Sequence, residues 1–238
     1  LRNSADQCLS IIPFEQEWFE NKDVKTNFIG HPFVELDPPT ETIDQFLSSH
    51  NLNPDSPILT LLPGSRQQEI NQHWPIYIKT VKMIKSIISN IQVIVGKAPG
   101  VNLPNSPDYI KIEENDPQLT MYYGDAALVA SGTATLEAAV LDIPMVVSYR
   151  FSLPTWIFAK KMATVSYASI VNLIANETIV PEFIQSEMTS ENLTNAVIPL
   201  FNKTSERKKM LLGYEKVRRT LGLPGVYDRA AEAILKRL

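Results

Sequence analysis

The chain has 238 residues, 44% of them hydrophobic, which is enough to bury a substantial core and excludes an intrinsically disordered protein. Its single cysteine excludes an intrachain disulfide, and its three histidines lie far apart without metal-ligand spacing, so we expect no metal. The net charge of −4 conceals a basic segment, since residues 200–238 carry ten Lys and Arg against four acidic residues, and we interpret it chiefly as a solvated helical face.

The first part of the chain contains short elements followed by a break. Strands are predicted at residues 8–13 and 26–30, and helices at 15–21 and 43–50. Pro38 and Pro39 interrupt the pattern, so we place a domain boundary near residues 36–56. The chain starts with Leu and enters a strand pattern at once, so we expect a fragment of a longer protein. Residues 1–36 would be the remnant of an N-terminal domain, and residues 37–56 a linker with a short helix.

From residue 57 onward, apolar strands alternate with helical patterns. Strands are predicted at residues 58–62, 91–95, 109–112, 126–130 and 144–149. Helices are predicted from 67, with a new start or a kink at Pro75, at 117–123, from 133, and at 154–163, 189–201, 205–221 and 226–238. Continuous apolar strands are typical of a parallel sheet covered on both faces. We therefore predict a doubly wound α/β domain at residues 57–204, followed by closing helices at 205–238.

The first strand of this domain is followed by a loop whose residues could bind a ligand, Leu62-Pro63-Gly64-Ser65-Arg66. Ligands of open α/β sheets bind beyond the carboxyl ends of the strands. Gly64 would allow close approach to the backbone, Ser65 can donate a hydrogen bond, and the guanidinium fork of Arg66 matches a diphosphate. The loop is not a Walker A loop, because Gly-Lys-Ser/Thr is absent. An exposed Arg at such a turn is also common without any function.

A second turn, Ser131-Gly132-Thr133, joins the strand at 126–130 to a helix. Unpaired N–H groups and the positive end of the helix dipole meet there, which favours an anion. Glu137 lies one helical turn beyond Thr133, and its carboxylate can accept hydrogen bonds from the two hydroxyls of a ribose. Alternatively, Glu137 only stabilises the start of the helix. Taken together, the two turns predict a nucleoside-diphosphate site.

Further motifs accompany these turns in a fixed order. They are Ile12-Pro-Phe-Glu15, Ile29-Gly-His-Pro32, Glu69-Ile70 after the first turn, Pro144-Met-Val-Val-Ser-Tyr-Arg150, Asn172-Leu-Ile-Ala175 and Val180-Pro-Glu-Phe-Ile-Gln185. With the two turns, they resemble the successive motifs of the lipid-A-disaccharide synthase family. The resemblance covers nearly the whole chain, but only the second half or slightly more of a full-length enzyme.

The resemblance implies an inverting, metal-independent glycosyltransferase of the GT-B type, built from two Rossmann-like halves. Such an enzyme transfers 2,3-diacylglucosamine from UDP to 2,3-diacylglucosamine 1-phosphate, forms the disaccharide 1-phosphate of lipid A and releases UDP. This chain would be its C-terminal donor domain, a Rossmann-like doubly wound parallel sheet. The UDP-sugar is a substrate, so no cofactor is implied.

Carried over residue by residue, the resemblance implies a set of substrate-binding residues. They are Gly64, Ser65, Arg66, Ser131, Gly132, Thr133, Glu137, Arg150, Asn172, Glu182 and Gln185. Arg66 would stabilise the departing UDP, the turn at 131–133 would supply N–H groups and hydroxyls to the diphosphate, and Glu137 would take the ribose hydroxyls. The general base and the acceptor pocket would lie in the first half of the enzyme, so we expect this chain alone to bind the donor with little turnover.

The expected partners are UDP-2,3-diacylglucosamine and 2,3-diacylglucosamine 1-phosphate, and no nucleic acid. A membrane surface is a further candidate, because the predicted helix at 154–163 combines Trp156 and Phe158 with Lys160 and Lys161. Packing of these aromatics against the sheet is the alternative. A homodimer through the C-terminal elements, which we expect to pack on the N-terminal domain, is another candidate. No apolar stretch approaches about 20 residues. The single cysteine fits a reducing compartment, and we expect a cytoplasmic location, with peripheral association at the inner membrane as a further option.

Two other functions fit part of the pattern. A UDP-N-acetylglucosamine 2-epimerase, or another UDP-sugar enzyme, shares the GT-B plan. Those families usually have a Gly-Gly turn and paired glutamates, where this chain has Ser131-Gly132-Thr133 and the single Glu137. A noncatalytic nucleotide-binding domain is the third hypothesis.

Overall fold

The computed structural model describes residues 6–151 and 167–236, in which the strands form a two-stranded and a six-stranded parallel sheet. The strands are β1 (Cys8–Ser10), β2 (Thr26–Phe28), β3 (Ile58–Leu62), β4 (Gln92–Gly96), β5 (Ile110–Glu113), β6 (Ala126–Ala130), β7 (Met145–Tyr149) and β8 (Glu182–Ile184). The predicted helix at 154–163, with Trp156, Phe158, Lys160 and Lys161, lies outside the described residues.

Helices connect these strands and cover the larger sheet. Within the described ranges they are α1 (Glu15–Glu20), α2 (Ile43–Ser49), α3 (Gln67–Ile87), α4 (Leu119–Tyr123), α5 (Thr133–Val140), α6 (Ile170–Ala175), α7 (Ser190–Val197), α8 (Ser205–Thr220) and α9 (Val226–Leu235). Short 3-10 turns occur at Pro32–Glu35, Gln185–Glu187 and Ile198–Phe201. Helix α3 packs against α7, and α5 packs against α6 and α8.

The six-stranded sheet has the order β5-β4-β3-β6-β7-β8, and all its neighbouring strands are parallel. Every residue of the central strands β3 and β6 is buried, which explains their continuous apolar sequences. The large side chains Trp74 and Tyr77 of α3 are also buried in this core. The predicted doubly wound parallel α/β sheet is confirmed.

Some details differ from the prediction. Of the two outcomes expected at Pro75, a new start or a kink, the first is excluded, because Pro75 lies inside one continuous helix, α3. Helix α6 was not predicted. The helix predicted at 189–201 ends at Val197, and a 3-10 turn with Pro199 follows, because proline lacks the N–H that an α-helix needs. Strand β8 was missed, because it has only three residues, all half-buried, and so carries no clear periodicity.

Basic side chains of residues 200–238 fasten the closing helices to the rest of the chain. Three arginines donate hydrogen bonds to backbone carbonyl oxygens: Arg207 to Asp125 at 2.8 Å, Arg218 to Ala139 at 3.1 Å and Arg229 to Ile29 at 2.9 Å. The Arg229 contact joins α9 to Ile29, the residue after β2. The His31 N–H donates to the Leu221 carbonyl at 2.8 Å and joins the end of α8 to the same segment. The interpretation of this segment as chiefly a solvated face is therefore incomplete.

Candidate active site

The strand order places the ends of β3 and β6 side by side at the carboxyl edge of the sheet. Counted along the chain within this sheet, the order is 3-2-1-4-5-6, which is that of a Rossmann dinucleotide-binding fold. The chain direction across the sheet reverses between these two strands, and ligands of such sheets bind in the crevice at that point. Both predicted turns, at residues 63–66 and 131–133, follow these two strands directly.

The two turns line one open cleft of about 510 Å³, a volume typical of small-molecule sites. The predicted residues that it brings together are Gly64, Ser65, Arg66, Ser131, Gly132, Thr133 and Glu137. Asp116 and Gln118, from the segment after β5, also line it, as does Glu69 of α3. These last three were not predicted to be site residues.

The first turn is held in place by the side chain of Glu69, in the first turn of α3. Its Oε2 atom accepts the backbone N–H groups of Ser65 at 3.0 Å and of Arg66 at 3.2 Å. Gly64 has φ +125°, and a Cβ atom there would lie 2.6 Å from the same oxygen. A side chain at Gly64 would therefore collide with Glu69, and the approach of a ligand to the Gly64 backbone stays a prediction.

The Arg66 side chain extends from this turn with 79% of its surface exposed. Its Nη1 atom donates to Oε1 of Glu69 at 3.1 Å, and the Tyr149 hydroxyl donates to the same oxygen at 2.8 Å. A guanidinium has five N–H donors, so most of the Arg66 donors stay available at the cleft. Arg66 is therefore placed to contact an anion there.

The second turn offers backbone donors. Gly132 has φ +153°, and a Cβ atom on it would meet no protein atom within 4 Å, so the backbone faces open space. Among the described residues, the N–H groups of Gly132, Thr133 and Ala134 have no protein acceptor. Ser131 differs, because its N–H donates to Ser148 and its hydroxyl to the Ala168 carbonyl at 2.7 Å. Both donors of Ser131 are thus used internally in this structure, and its contact with a diphosphate stays a prediction.

Glu137 lies farther along the cleft and is partly buried. Its Oε1 atom accepts a hydrogen bond from Nε2 of Gln118. Burial raises the pKa of the Glu137 carboxyl, and nearby Asp116 raises it further, whereas the Gln118 hydrogen bond lowers it; the net shift is upward. Gln118 thus holds one carboxylate oxygen of a residue that lines the cleft.

His73 connects the first turn to the end of β7 and was not predicted to do so. Its Nε2 atom accepts the Arg150 N–H at 3.0 Å, so the proton is on Nδ1, which donates to the Pro63 carbonyl at 2.8 Å. The side chain is fully buried, and this burial lowers the pKa of His73, although contacts with Pro63, Arg150 and Glu69 raise it in part. Only the neutral ring can make both bonds.

This clamp predicts a loss of stability in mild acid. The pKa of His73 is lower in the folded chain than its usual 6.5, so the unfolded chain takes up a proton first as the pH falls below about 6.5. The free energy of unfolding should therefore fall with pH, by up to about 1.4 kcal/mol per pH unit from this group. Urea unfolding at pH 7.5, 6.5 and 5.5 measures the slope. His73→Gln, which cannot titrate, should flatten it. His31, whose pKa burial also lowers, adds to the slope, whereas Glu137, whose pKa burial raises, opposes it. Equal slopes in both proteins would contradict the assignment.

Two predicted site residues, Asn172 and Glu182, form an internal network instead. Asn172 is fully buried; its Nδ2 donates to the Val180 carbonyl and to Glu182, and its Oδ1 accepts the N–H groups of Ile179 and Val180. The polar atoms of the Asn172 side chain are thus bonded within the chain, and its contact with substrate stays a prediction. The Glu182 carboxylate also accepts the Ala168 N–H at 2.8 Å, and Ala168 in turn accepts the Ser131 hydroxyl. Through Ala168, this network is connected to Ser131 of the second turn.

Arg150 and Gln185 lie beside the cleft. The Arg150 guanidinium donates to the Gln185 carbonyl at 3.2 Å, and Arg150 lines a separate cavity of about 140 Å³ together with Arg66 and Glu69. Substrate contact by Arg150 or Gln185 stays a prediction. In residues 6–151 and 167–236, no cluster of three or more His, Cys, Asp or Glu side chains has the arrangement of a metal site.

Comparison with known sequences identifies the family of the chain. The sequence pattern of the lipid-A-disaccharide synthetase family matches residues 1–235. The lipid-A-disaccharide synthase of Myxococcus xanthus is 35% identical over 100% of this chain and 64% of its own length. That of Solibacter usitatus is 35% identical over 98% of this chain and 63% of its own length. The chain thus spans somewhat less than two thirds of these curated relatives.

Comparison with solved structures supports the fold. A calicheamicin glycosyltransferase aligns with 98% of this chain and 54% of its own, at a TM-score of 0.58 and 18% identity. A Listeria monocytogenes protein, provisionally assigned as a UDP-N-acetylglucosamine 2-epimerase, aligns with 97% of this chain and 59% of its own, at a TM-score of 0.66 and 12% identity. The fold is that of a GT-B glycosyltransferase domain, and the chain belongs to the lipid-A-disaccharide synthetase family.

Proposed function

We propose that this chain carries the donor site of an inverting glycosyltransferase that transfers 2,3-diacylglucosamine from UDP to 2,3-diacylglucosamine 1-phosphate. The single observation that carries the proposal is the cleft between β3 and β6. There Arg66 and the amides of the second turn face the same space as the Glu137 carboxylate. Donors for a diphosphate and an acceptor for a ribose diol thus share one cleft at the nucleotide position of a Rossmann fold.

Each group has a distinct role in this proposal. Arg66 binds the diphosphate and stabilises the negative charge that develops on UDP as the glycosidic bond breaks. The N–H groups of residues 132–134, at the start of α5, add donors and the positive end of a helix dipole. Glu137 accepts the ribose hydroxyls. We place the general base in the first half of the family's enzymes, outside the part that this chain matches, and efficient disaccharide formation by the chain alone would contradict that placement.

The remaining expectations are part of the same proposal. The reaction uses the two acylated sugars as substrates and needs no metal or other cofactor. A cytoplasmic location, contact with a membrane surface and a homodimer through the C-terminal elements stay proposals. None of the helices that the structure describes is long and apolar enough to cross a membrane.

Calorimetric titration with UDP tests the proposed site. We expect UDP to bind, and we expect Glu137→Gln to weaken this binding about tenfold, because an amide has one acceptor oxygen and loses the charge-assisted bond to the diol. The loss should be smaller for 2′-deoxy-UDP, which lacks one of the two hydroxyls. Glu177→Gln, which changes an exposed glutamate paired with Lys216, is the matched control. The same loss with both nucleotides would contradict the ribose contact.

A further inference from the structure

Glu69 divides its hydrogen bonds between its two carboxylate oxygens. Oε2 accepts two backbone N–H groups, those of Ser65 and Arg66. Oε1 accepts two side chains, the Arg66 guanidinium at 3.1 Å and the Tyr149 hydroxyl at 2.8 Å. One oxygen therefore fixes the backbone of the first turn, and the other fixes the direction of the Arg66 side chain.

The two members of this ion pair differ strongly in exposure. The side chain of Glu69 is 12% exposed, whereas that of Arg66 is 79% exposed. The half-buried carboxylate is bonded to Tyr149 at the end of β7, so its position is fixed by the sheet. The exposed guanidinium is bonded to it through Nη1, and Arg66 lines the cleft.

The carboxylate is charged at neutral pH. Burial alone would raise the pKa of Glu69, but the hydrogen bonds from Tyr149, Ser65 and Arg66, with the charge of Arg66, lower it below its usual value. Charge-assisted hydrogen bonds are short and directional. A guanidinium held in this way loses less side-chain freedom when an anion binds, which increases affinity.

We propose that Glu69 is a positioning residue for the diphosphate, which acts through Arg66 by holding the turn and the guanidinium in the orientation that receives the phosphates. This inference rests on the proposed function, because it requires UDP in the cleft. Tyr149 supports the same orientation from the end of β7. Glu69 itself does not contact the nucleotide in this arrangement.

A double-mutant cycle tests the inference. UDP and uridine are titrated into the wild-type chain, Glu69→Gln, Arg66→Ala and the double variant. Glutamine keeps the shape and one acceptor oxygen for the backbone of the turn, but its NH₂ group cannot accept from Arg66. We expect Glu69→Gln to weaken UDP binding about tenfold in the wild-type background and by less than about twofold in the Arg66→Ala background. Uridine binding should not change, because uridine has no phosphate.

Two further variants make the test decisive. Glu191→Gln removes an exposed carboxylate paired with Lys79 and should leave UDP affinity unchanged. Tyr149→Phe removes one hydrogen bond to Oε1 and should weaken binding of UDP but not of uridine; it decides the matter if Glu69→Gln does not fold. Unchanged or tighter UDP binding in folded Glu69→Gln would overturn this inference alone. So would a loss of UDP affinity that is equal in the wild-type and Arg66→Ala backgrounds, or an equal loss of uridine affinity. Absence of UDP binding to the wild-type chain would overturn the proposed function, and the inference with it.

Discussion

Arg66→Ala should weaken UDP binding by roughly 30- to 100-fold, or about 2 to 3 kcal/mol, and leave uridine binding unchanged. Arg66 extends into the cleft with 79% of its side chain exposed, and it carries the guanidinium fork that fits two phosphate oxygens. Removal of the fork takes away charge-assisted hydrogen bonds that only a phosphate can form. Calorimetric titration of both ligands separates this effect from a general disturbance of the cleft.

Two comparisons make this prediction specific. Arg66→Lys keeps the charge as a single point and loses the fork, so its UDP affinity should lie between those of the wild-type chain and Arg66→Ala. Arg219→Ala removes an arginine of similar exposure on α8, paired with Glu215, and should have no effect. Equal losses of UDP and uridine binding in Arg66→Ala would contradict a diphosphate contact.

Asn172→Ala should lower the free energy of unfolding by about 3 to 5 kcal/mol and weaken UDP binding as well. Asn172 is fully buried, and its amide satisfies the N–H groups of Ile179 and Val180 and one oxygen of Glu182. Alanine leaves the N–H groups of Ile179 and Val180 without a partner and removes one of the four hydrogen bonds to Glu182, which is costly in a low-dielectric interior. UDP binding should also weaken, because the Glu182 network is connected to Ser131 through Ala168.

Urea unfolding measures the stability change, and Asn90→Ala provides the control. Asn90 is exposed in the turn before β4, so its replacement should change the free energy of unfolding by less than about 0.5 kcal/mol. An unchanged unfolding midpoint in Asn172→Ala would show that the network contributes little. Normal stability with lost UDP binding would instead restore Asn172 as a direct ligand contact.

The fold and the two turns could be predicted from sequence because their signals are local. A buried parallel strand is a continuous apolar run, as in Ile58–Leu62, and a strand-to-helix turn with Gly64 or Gly132 marks its carboxyl end. The parallel order of strands then brings both turns to one edge of the sheet. Strand β8 lacks such a signal, since its three residues are all half-buried.

The supporting residues could not be predicted, because their roles depend on contacts distant in sequence. His73 bonds to Arg150, 77 positions away, and Gln118 bonds to Glu137 across the cleft. Neither residue type in its local pattern indicates such a partner. Glu182 is the opposite case, a residue predicted to contact substrate. A polar residue in a family motif can either contact a ligand or hold a loop, and the sequence does not distinguish the two. The four bonds of Glu182 to residues 168, 169 and 172 show that it holds a loop.

A crystal structure of this chain with UDP would test the proposed donor site most directly. We predict the diphosphate within hydrogen-bonding distance of the Arg66 guanidinium and of the N–H groups of Gly132 and Thr133, with the ribose hydroxyls on the Glu137 carboxylate. Glu69 should keep its bonds to the Ser65 and Arg66 backbone in that complex. UDP bound elsewhere on the chain, or bound in this cleft with its phosphates away from Arg66, would contradict the proposal.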